Sequence, residues 1–253
     1  MMELKDLCAG YGGEDRLRHV SLRFQAGCLT GLIGPNGSGK STLIKACAGQ
    51  LRPSHGQVLL EGLSIAGMGP RALARRLAYM PQMRGAPAMT VRQLAAHGRY
   101  PHLGFGRALS CADWRQVDWA LERAGITAYA ARPVASLSGG ERQRAYLAML
   151  LAQDTPLLLL DEPTAFLDIR HQFSLMDLLQ QLAREGKTVV VALHELGLAL
   201  SYCQRLLLLK DGLPLAWGPP GQVYQSGHIQ EAFGVNVIQA APGQYLFSSR
   251  DKS

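Results

Sequence analysis

Residues Gly34–Ser41 read GPNGSGKS, directly after the apolar run Leu29–Ile33 and directly before the helix-prone stretch Thr42–Ala48. This order of strand, glycine-rich turn and helix is the context that a phosphate-binding loop requires. Glycines let the backbone turn so that successive N–H groups face a polyphosphate, and the N-terminus of the new helix adds partial positive charge. The sequence therefore predicts a site for a nucleoside triphosphate in this phosphate loop, Gly34–Ser41.

The residue types of the phosphate loop suit the different parts of a nucleotide. Lys40 would bring a positive charge to the β- and γ-phosphates, and Ser41 would offer a hydroxyl to Mg²⁺. A glycine-rich turn beside a chance lysine is the alternative, and it does not explain why strand, turn, lysine, hydroxyl and helix all agree. The predicted nucleotide-binding residues of this segment are Gly34, Pro35, Asn36, Gly37, Ser38, Gly39, Lys40, Ser41 and Thr42.

Length and composition are those of a globular protein. The 253 residues suffice for one large or two small domains with a core. The net charge is +7, without a dense Lys/Arg block. This charge favours a solvated basic surface and nucleotide binding, then proximity to a membrane, and least of all binding to nucleic acid. No apolar run approaches the roughly 20 residues of a membrane span, and the first residues do not resemble a signal peptide. The five cysteines are scattered without a CxxC pair, which indicates a reducing compartment and argues against disulfides or a zinc site.

Short apolar runs alternate with helical patterns, which predicts an α/β fold with a mainly parallel sheet. Residues 1 to about 30 and Gln57–Leu60 are predicted as β segments, and another strand closes at Ala78–Gln82. Between about 83 and 153 the pattern becomes helical, and the last 40 residues predict a small β piece with short helices. The predicted helices of the middle segment are Val91–His97, Asp113–Ala124 and Gly140–Leu151. The later strands are Leu157–Asp161, Thr188–Leu193 and Arg205–Lys210, with helices at about 170–184 and 195–203.

An acidic pair, Asp161 and Glu162, follows the apolar run Leu157–Leu160. Functional groups collect at the C-terminal ends of buried parallel strands. We therefore expect Asp161 to reach Mg²⁺, directly or through water, and Glu162 to face the γ-phosphate and polarise a water as a general base. An exposed acidic pair that merely ends a strand is the alternative, and the phosphate loop upstream weighs against it.

Residues Leu137–Glu141 read LSGGE at the start of a predicted helix. With a phosphate loop upstream and a strand ending in Asp-Glu downstream, the chain resembles the ATPase subunit of an ABC transporter. At a helix N-terminus, Ser138 offers a hydroxyl, and the amides of Gly139 and Gly140 can approach an anion closely. The resemblance implies that this signature segment, Leu137–Glu141, binds the γ-phosphate of ATP held by the opposite subunit, so that two sites are shared across a two-fold homodimer. A simple N-capped helix explains Ser138 well and the paired glycines poorly.

The resemblance carries four further positions onto this sequence. Tyr11 matches an aromatic residue that stacks on adenine, and Gln82 matches the Q-loop glutamine that contacts Mg²⁺ and the attacking water. Asp168 ends the D-loop, Ala165–Asp168, and His194 matches the switch histidine that touches the γ-phosphate. A lone tyrosine or histidine is more often structural, so both gain their weight from the set as a whole.

Two departures from the family pattern are mild. Phe166 stands in the D-loop where many members have a smaller residue, and Glu195 follows His194 where Asp is common. Neither removes a required group, so the resemblance implies a competent ATPase. The implied catalytic residues are Glu162, His194, Gln82 and Lys40, and the implied Mg²⁺ ligands are Ser41, Gln82 and Asp161.

The resemblance covers residues 1 to about 235 and implies the fold of the family. This fold is a P-loop NTPase (RecA-like) α/β core with a mainly parallel sheet, an N-terminal antiparallel β part and an inserted α-helical subdomain. We expect a single domain over residues 1–253, with the helical subdomain at about 83–153.

Three features indicate a branch of the family. The chain is one ATPase domain without fused membrane spans, which favours the layout of bacterial importers. His97–His102 reads HGRYPH and Leu167–Gln172 reads LDIRHQ, and both segments resemble importers of ferric siderophores, haem and vitamin B12. The resemblance thus implies import of a metal chelate. The alternatives are an importer ATPase for manganese, zinc or an amino acid, and a soluble ABC ATPase that acts on nucleic acid or protein complexes.

The family also implies ligands, partners and a location. These are ATP and Mg²⁺, a second copy of the chain, integral membrane permease subunits, and a periplasmic or surface substrate-binding protein reached through the permease, with no nucleic acid. The implied location is peripheral, on the cytoplasmic side of the inner membrane. Residues 83–111 would form the groove that receives the permease, and we predict that Arg92, Arg99 and Tyr100 lie near that interface.

Overall fold

The computed structural model describes residues 1–82, 85–104, 106–241 and 243–249. The predicted start of the helical segment at about 83 and the end of the predicted domain, residues 250–253, lie outside the described residues. The strands are β1 Met2–Tyr11, β2 Glu14–Phe24, β3 Leu29–Ile33, β4 His55–Leu60, β5 Leu63–Ser64, β6 Leu77–Met80, β7 Leu157–Asp161, β8 Thr188–Ala192, β9 Arg205–Lys210, β10 Leu213–Gly218, β11 Val235–Ala241 and β12 Gln244–Ser249. The α-helices are α1 Lys40–Cys47, α2 Pro70–Ala74, α3 Val91–His97, α4 Cys111–Arg123, α5 Gly139–Ala152, α6 Ile169–Arg184, α7 Leu196–Tyr202, α8 Pro220–Gln225 and α9 His228–Phe233.

Six strands form the central sheet in the order β10–β9–β3–β8–β7–β6. All neighbouring strands from β9 to β6 pair in parallel, and β10 pairs antiparallel with β9 at the edge. β7 is buried at every position because the sheet is covered on both faces. Its alternate residues serve opposite cores: Leu158 and Leu160 pack with α3, α4 and α5, whereas Leu157 and Leu159 pack with α1 and the N-terminal strands.

A four-stranded antiparallel sheet, ordered β2–β1–β4–β5, covers the α1 side of the central sheet. Its long hairpin, β1 and β2, turns between Tyr11 and Glu14. A separate two-stranded hairpin, β11 and β12, lies near the C-terminus, and β12 contacts α7. The antiparallel sheet matters for function because β2 brings its first residues against the phosphate loop.

The helical layer consists of α3, α4 and α5, which pack on one another. Each of the three helices begins with a capping box, in which an N-cap hydroxyl and the side chain three residues later satisfy each other's backbone N–H groups. The pairs are Thr90 with Gln93, Ser110 with Asp113, and Ser138 with Glu141. The cap at Ser110 explains why α4 begins before the predicted Asp113.

The predicted α/β fold class is confirmed, and β3, α3, β7 and β9 have the predicted bounds. β6 ends at Met80, two residues before the predicted end of that strand, and Gln82 follows it. β10 escapes sequence reasoning because it contains Pro214, which a sheet tolerates only where a strand lies at the edge. α2 is too short to give a helical period.

Candidate active site

Four neighbouring strands of the central sheet deliver the predicted site residues to one edge. β3 leads into the phosphate loop, β7 ends in Asp161, and His194 lies two residues after the end of β8. Gln82 follows β6 in the same way. Because these strands are parallel, their C-terminal ends meet at the same edge, where ligands of open α/β sheets bind.

The phosphate loop is packed so tightly that glycine is required at two of its positions, Gly34 and Gly39. A β-carbon at Gly34 would lie 2.1 Å from the carbonyl oxygen of Leu209, and one at Gly39 would lie 2.7 Å from a methyl carbon of Leu17. Gly37 faces open space but has φ 79°, in the left-handed region that favours glycine. α1 then begins at Lys40, with its first N–H groups at the loop.

Lys40 is buried inside the curve of the loop, with 4% of its surface exposed. Its Nζ donates to the carbonyl oxygens of Gly34 at 2.7 Å and Pro35 at 3.1 Å. Burial lowers the pKa of the ammonium group, and the nearby carboxylates of Glu162 and Asp161 oppose that shift. The positive charge is therefore held in place by backbone carbonyls, beside the strand ends that carry the acidic pair.

Ser38 has a side chain that the folded chain leaves unsatisfied. Its Oγ is buried and finds no hydrogen-bond partner. A buried hydroxyl without a partner is unfavourable, and such groups mark places where a ligand or water completes the bonding. A phosphate oxygen inside the loop would supply the missing partner.

The metal end of the predicted site is already assembled. The Ser41 hydroxyl donates to Oδ1 of Asp161 at 2.9 Å, and Asp161 is 1% exposed at the end of β7. A hydroxyl and a carboxylate oxygen held together are ligands that suit Mg²⁺, which takes its remaining ligands from water and substrate phosphates. The donor set therefore fits the predicted metal.

Glu162 lies at the centre of the predicted catalytic set. The amide of Gln82 donates to its Oε2, and Nε2 of His194 lies 2.5 Å from its Oε1. Glu162 is 7% exposed and has φ 51°, a left-handed conformation that non-glycine residues adopt rarely. Two residues distant in sequence, Gln82 and His194, are thus held around the carboxylate of Glu162. A left-handed backbone at a non-glycine residue is strained, and such strain is common at functional sites.

A cleft of about 710 Å³ opens over the phosphate loop and Glu162. Tyr11 lies at its rim with 49% of its surface exposed, and the Nζ of Lys45 lies 5.7 Å from the ring centroid. Gly34, Pro35 and Asp161 support the cleft from behind through Lys40 and Ser41. The predicted residues that line it are Tyr11, Asn36, Gly37, Ser38, Gly39, Lys40, Ser41, Thr42, Gln82, Glu162 and His194.

Arg16 also lines the cleft, and sequence reasoning missed it. It stands near the start of β2, and its carbonyl oxygen would lie 2.9 Å from a β-carbon on Gly39, so β2 packs directly on the phosphate loop. Its guanidinium lies 3.6 Å from the carboxylate of Glu14 and is largely exposed. No sequence motif contains Arg16, and only the packing of β2 on the phosphate loop shows that it lies at the cleft.

The signature segment and Asp168 are not among the described residues that line this cleft. Ser138 caps α5, where its Oγ accepts from the N–H of Glu141 at 3.3 Å. Asp168 caps α6, where its Oδ1 accepts from the N–H of His171 at 2.9 Å; this bond and the His171 side chain lower the pKa of Asp168. Both side chains are thus engaged in capping the helices that they begin.

The paired glycines of the signature segment have a packing role within the chain. A β-carbon at Gly139 would lie 3.3 Å from Cβ of Phe166, and one at Gly140 would lie 3.4 Å from a methyl carbon of Leu167. The amide of Gln143 also donates to the carbonyl oxygen of Pro163. The D-loop thus lies directly on the start of α5. This close packing gives a reason for the paired glycines, which N-capping by Ser138 alone does not explain.

Comparison with known proteins decides the family. The sequence profile of the ABC transporter family matches residues 17–165, more than half of the chain. The chain belongs to the ABC transporter family. It is 40% identical over 234 residues to the achromobactin transport ATP-binding protein CbrD of Dickeya dadantii (strain 3937), covering 92% of this chain and 87% of that protein. It is 39% identical over 236 residues to the ferric enterobactin transport ATP-binding protein FepC of Escherichia coli (strain K12), covering 92% and 87%.

Solved structures of ABC proteins have the same fold. A putative metal-chelate type ABC transporter in an inward-facing conformation matches with a TM-score of 0.82 and 25% identity, over 99% of this chain and 98% of that chain. A dimeric ATP-binding cassette in a post-hydrolysis state, bound to ADP and phosphate, matches with a TM-score of 0.77 and 27% identity, over 87% and 99%. The predicted family and the predicted ATP-hydrolysing activity, which is the activity of this family, are confirmed.

The HGRYPH element of this ABC protein joins the helical layer to the core. A β-carbon at Gly98 would lie 2.2 Å from the carbonyl oxygen of Met149, so the chain touches the backbone of α5 there. Nε2 of His102 contacts the carbonyl oxygen of Gln153 at 2.8 Å, and the Pro101 carbonyl accepts from two arginines of the α2 region, Arg71 and Arg75. The element therefore anchors the C-terminal end of α5.

Arg99 contributes to the same anchor. Its Nε donates to Asp113 at 3.0 Å and its Nη1 to the carbonyl oxygen of Ala152 at 2.8 Å, with 13% of the side chain exposed. The Ser110 hydroxyl, together with Arg99, lowers the pKa of Asp113 to about 2. Arg92 stacks 4.6 Å from the ring centroid of Trp114 and stays accessible, as does Tyr100. Of the three residues predicted near a permease, Arg99 is thus enclosed within the chain, whereas Arg92 binds Asp118 of α4 at the surface and Tyr100 is exposed.

Along the described residues of this ABC protein, no helix has both the length and the apolar character that crossing a membrane requires.

Proposed function

We propose that this protein binds ATP and Mg²⁺ in the cleft and hydrolyses ATP at a homodimer interface, and that hydrolysis powers import of a metal chelate through a membrane permease. The observation that carries the proposal is the Gln82–Glu162–His194 cluster beside Lys40 and the Ser41–Asp161 pair. The proposed cargo class, a ferric siderophore, haem or cobalamin, is supported by relatives named for transport of achromobactin and ferric enterobactin. A cobalamin import ATP-binding protein of Halobacterium salinarum is 44% identical, although the matched segment is 54% of that protein.

The phosphate loop would hold the triphosphate. Lys40 would exchange its bonds to the Gly34 and Pro35 carbonyls for phosphate oxygens, and Ser38 would gain the partner that it lacks. The N-terminus of α1 favours an anion at the same place. Tyr11, exposed at the rim, would stack on the adenine ring, since aromatic faces stack on bases.

The Ser41 hydroxyl and Asp161 would hold Mg²⁺, and the side-chain oxygen of Gln82 would be a further ligand. When bound, the ion would supply positive charge that offsets the negative charge developing during phosphoryl transfer. Glu162 would take a proton from the attacking water as general base. His194, which lies against Glu162, would hold the γ-phosphate.

The active site would be completed by a second copy of the chain. Ser138, Gly139 and Gly140 lie outside the cleft of their own subunit among the described residues, although a helix N-terminus of this kind suits the γ-phosphate. In an isologous dimer, each signature segment would close the cleft of the other subunit, with Asp168 beside it. A dimeric cassette of the same fold supports this arrangement.

The remaining parts of the proposal follow from the family. Residues 1–253 would form one domain with a helical subdomain at about 83–153, and the dimer would lie on the cytoplasmic side of the inner membrane. Permease subunits would dock beside the helical layer, near Arg92 and Tyr100, and a periplasmic or surface substrate-binding protein would deliver the cargo. Import-type relatives support the permease; the binding protein and the location are inferred from it.

The replacement Glu162→Gln tests the hydrolytic part. It keeps the side-chain volume and removes the base, so we expect turnover to fall about 100-fold or more while ATP binding is retained. ATP and Mg²⁺ should then hold a stable dimer, measured by analytical ultracentrifugation. Glu61→Gln makes the same chemical change at an exposed ion pair with Arg76 and should leave both readouts unchanged. Wild-type turnover in Glu162→Gln would remove Glu162 from the proposed role.

Uptake in the cell that makes this protein tests the transport part. Wild type and Glu162→Gln are compared for labelled ferric siderophore, haem and cobalamin in parallel. Loss of one cargo alone assigns the transporter. Normal uptake of all three, with ATPase activity intact in vitro, contradicts the proposed cargo class while leaving ATP hydrolysis in place.

A further inference from the structure

Two side-chain contacts join the segments that carry Glu162 and His194. The ladder between β7 and β8 ends with the last residue of each strand, so both side chains lie beyond it. The first contact is the one already described between His194 and Glu162. In the second contact, the Thr164 hydroxyl donates to Oε2 of Glu195 at 2.9 Å. The second contact therefore joins the same two segments without using either proposed catalytic group.

The carboxylate of Glu195 binds Thr164 although a nearer use exists for it. Glu195 is the N-cap of α7, where a side-chain oxygen commonly accepts from a backbone N–H group of the first turn. Among the described residues, its side chain accepts no such bond. Aspartate is a preferred N-cap residue and glutamate is not, whereas glutamate has one more methylene group with which to reach a distant donor. The start of α7 thus lacks a side-chain cap, and its carboxylate instead binds the segment that follows β7.

Thr164 is placed to hold this contact in a fixed position. It is 2% exposed, and its carbonyl oxygen accepts from the Leu167 N–H at 3.2 Å. A hydrogen bond from a hydroxyl to a carboxylate is charge-assisted, which makes it stronger than a bond between neutral groups. Neither Thr164 nor Glu195 is among the described residues that line the cleft. A nucleotide in the cleft therefore does not need to displace this contact.

We propose that Thr164 and Glu195 are positioning residues, whose hydrogen bond holds the main chain of His194 in place while its side chain moves from Glu162 to the γ-phosphate. The inference rests on the proposed function, which gives His194 and Glu162 their roles. Nε2 of His194 binds Glu162 in the nucleotide-free protein, so it must leave that carboxylate in order to bind phosphate. The second contact uses no group that binds nucleotide, and it persists through this exchange. Precise placement matters because a shift of about 1 Å in a catalytic site can lower the rate about 100-fold.

The replacement Thr164→Val removes the hydroxyl and keeps the shape of the side chain. We expect kcat for ATP hydrolysis to fall about tenfold because His194 is less precisely placed, while KM and Kd for ATP change less than about twofold. Thr164→Ser keeps the hydroxyl and should restore most of the turnover. The matched control is Thr155→Val: Thr155 is fully buried at the other end of β7, and its hydroxyl donates to the carbonyl oxygen of Leu157 at 3.0 Å. This control should lower stability and leave kcat unchanged.

The replacement Glu195→Ala tests the same contact from its other side. Glu195 is only partly buried, so this variant remains informative if Thr164→Val does not fold. It should lower kcat to a similar extent, whereas Glu195→Gln keeps an acceptor oxygen and should retain turnover close to that of wild type. The double variant with Thr164→Val and Glu195→Ala should be no slower than the slower single variant, because both replacements remove the same bond. Effects that multiply to about 100-fold would contradict a shared contact.

The outcomes separate this inference from the proposed function. Wild-type kcat in both Thr164→Val and Glu195→Ala, with turnover lost in Glu162→Gln, overturns this inference alone. An equal fall of kcat in Thr155→Val also overturns it, because any lost buried hydroxyl near β7 would then slow turnover. Wild-type turnover in Glu162→Gln overturns the proposed catalytic roles and this inference with them.

Discussion

Single residues of the phosphate loop have bonding capacity that the folded chain by itself leaves incomplete. The Ser38 hydroxyl is buried without a partner, and the Lys40 ammonium is held by two backbone carbonyls in a site whose burial lowers its pKa. Under the proposed function, both groups would gain favourable bonds when a polyphosphate enters the loop. Part of the favourable free energy of ATP binding would therefore come from relief of these unfavourable features of the unliganded loop.

Ser38→Ala tests this reasoning at the scale of one atom. Removing an unsatisfied buried hydroxyl should stabilise the nucleotide-free protein by about 1 kcal/mol, and it should weaken ATP binding by a similar free energy, because the bond to phosphate is lost. Thermal unfolding with and without nucleotide measures both effects. Ser174→Ala, whose hydroxyl bonds only its own helix at Arg170, serves as the control. A variant that loses stability and keeps full ATP affinity would contradict the assignment.

At the scale of elements, the position of α5 depends on the HGRYPH element and not on the signature segment alone. The N-terminal end of α5 lies against the D-loop, and its C-terminal end is bound by Gly98, Arg99 and His102. Gln153, just after α5, donates to the carbonyl oxygens of Ala74 and Leu77. The end of α3 and the HGRYPH element therefore fix the C-terminal end of the helix that Ser138 caps.

Gly98→Ala tests this packing. The new β-carbon would lie 2.2 Å from a backbone oxygen and 2.9 Å from a backbone nitrogen of the α5 region, so α3 and α5 must separate. We expect a loss of about 2–3 kcal/mol in the free energy of unfolding, as for other overpacked sites. Gly221→Ala in α8, where nothing lies within 4 Å of the added carbon, should be neutral or slightly stabilising. Equal stability of the two variants in urea denaturation would refute the close contact.

At the scale of the whole molecule, the proposed function divides each active site between two subunits. The cleft with Lys40 and Glu162 would be one half, and the signature segment of the other subunit would be the second half. Under the proposed function, the halves meet only between subunits. The activity of a dimer should then depend on whether its two subunits carry substitutions in the same half of the site or in different halves.

Mixing two inactive variants tests this dependence. Lys40→Ala disables the cleft, and Ser138→Asp keeps an N-cap acceptor while placing a negative charge against the γ-phosphate. Each variant alone should be inactive. An equal mixture, combined before ATP is added, should recover about a quarter of wild-type turnover, since half of the dimers are mixed and each mixed dimer has one intact site. No recovery, with mixed dimers present, would indicate that each subunit works alone or that one site cannot turn over by itself.

The sequence by itself determined the parts whose signals are local. The phosphate loop, the strand ending in Asp161 and Glu162, the helix beginning at the signature segment and the bounds of β3, α3, β7 and β9 all follow from glycine placement, capping residues and hydrophobic period over a few consecutive residues. The family resemblance supplied Tyr11, Gln82, Asp168 and His194, and the structure places three of these four at the cleft.

Only the tertiary structure decided how these parts meet. Gln82 and Glu162 are 80 residues apart, and they bind because β6 and β7 are neighbours in the sheet. Arg16 reaches the cleft because β2 packs on the phosphate loop, and Arg99 is occupied because it binds Asp113 of α4 and the carbonyl oxygen of Ala152 of α5. Such contacts depend on strand order and on packing between distant elements, whose free energies no local pattern of residues specifies.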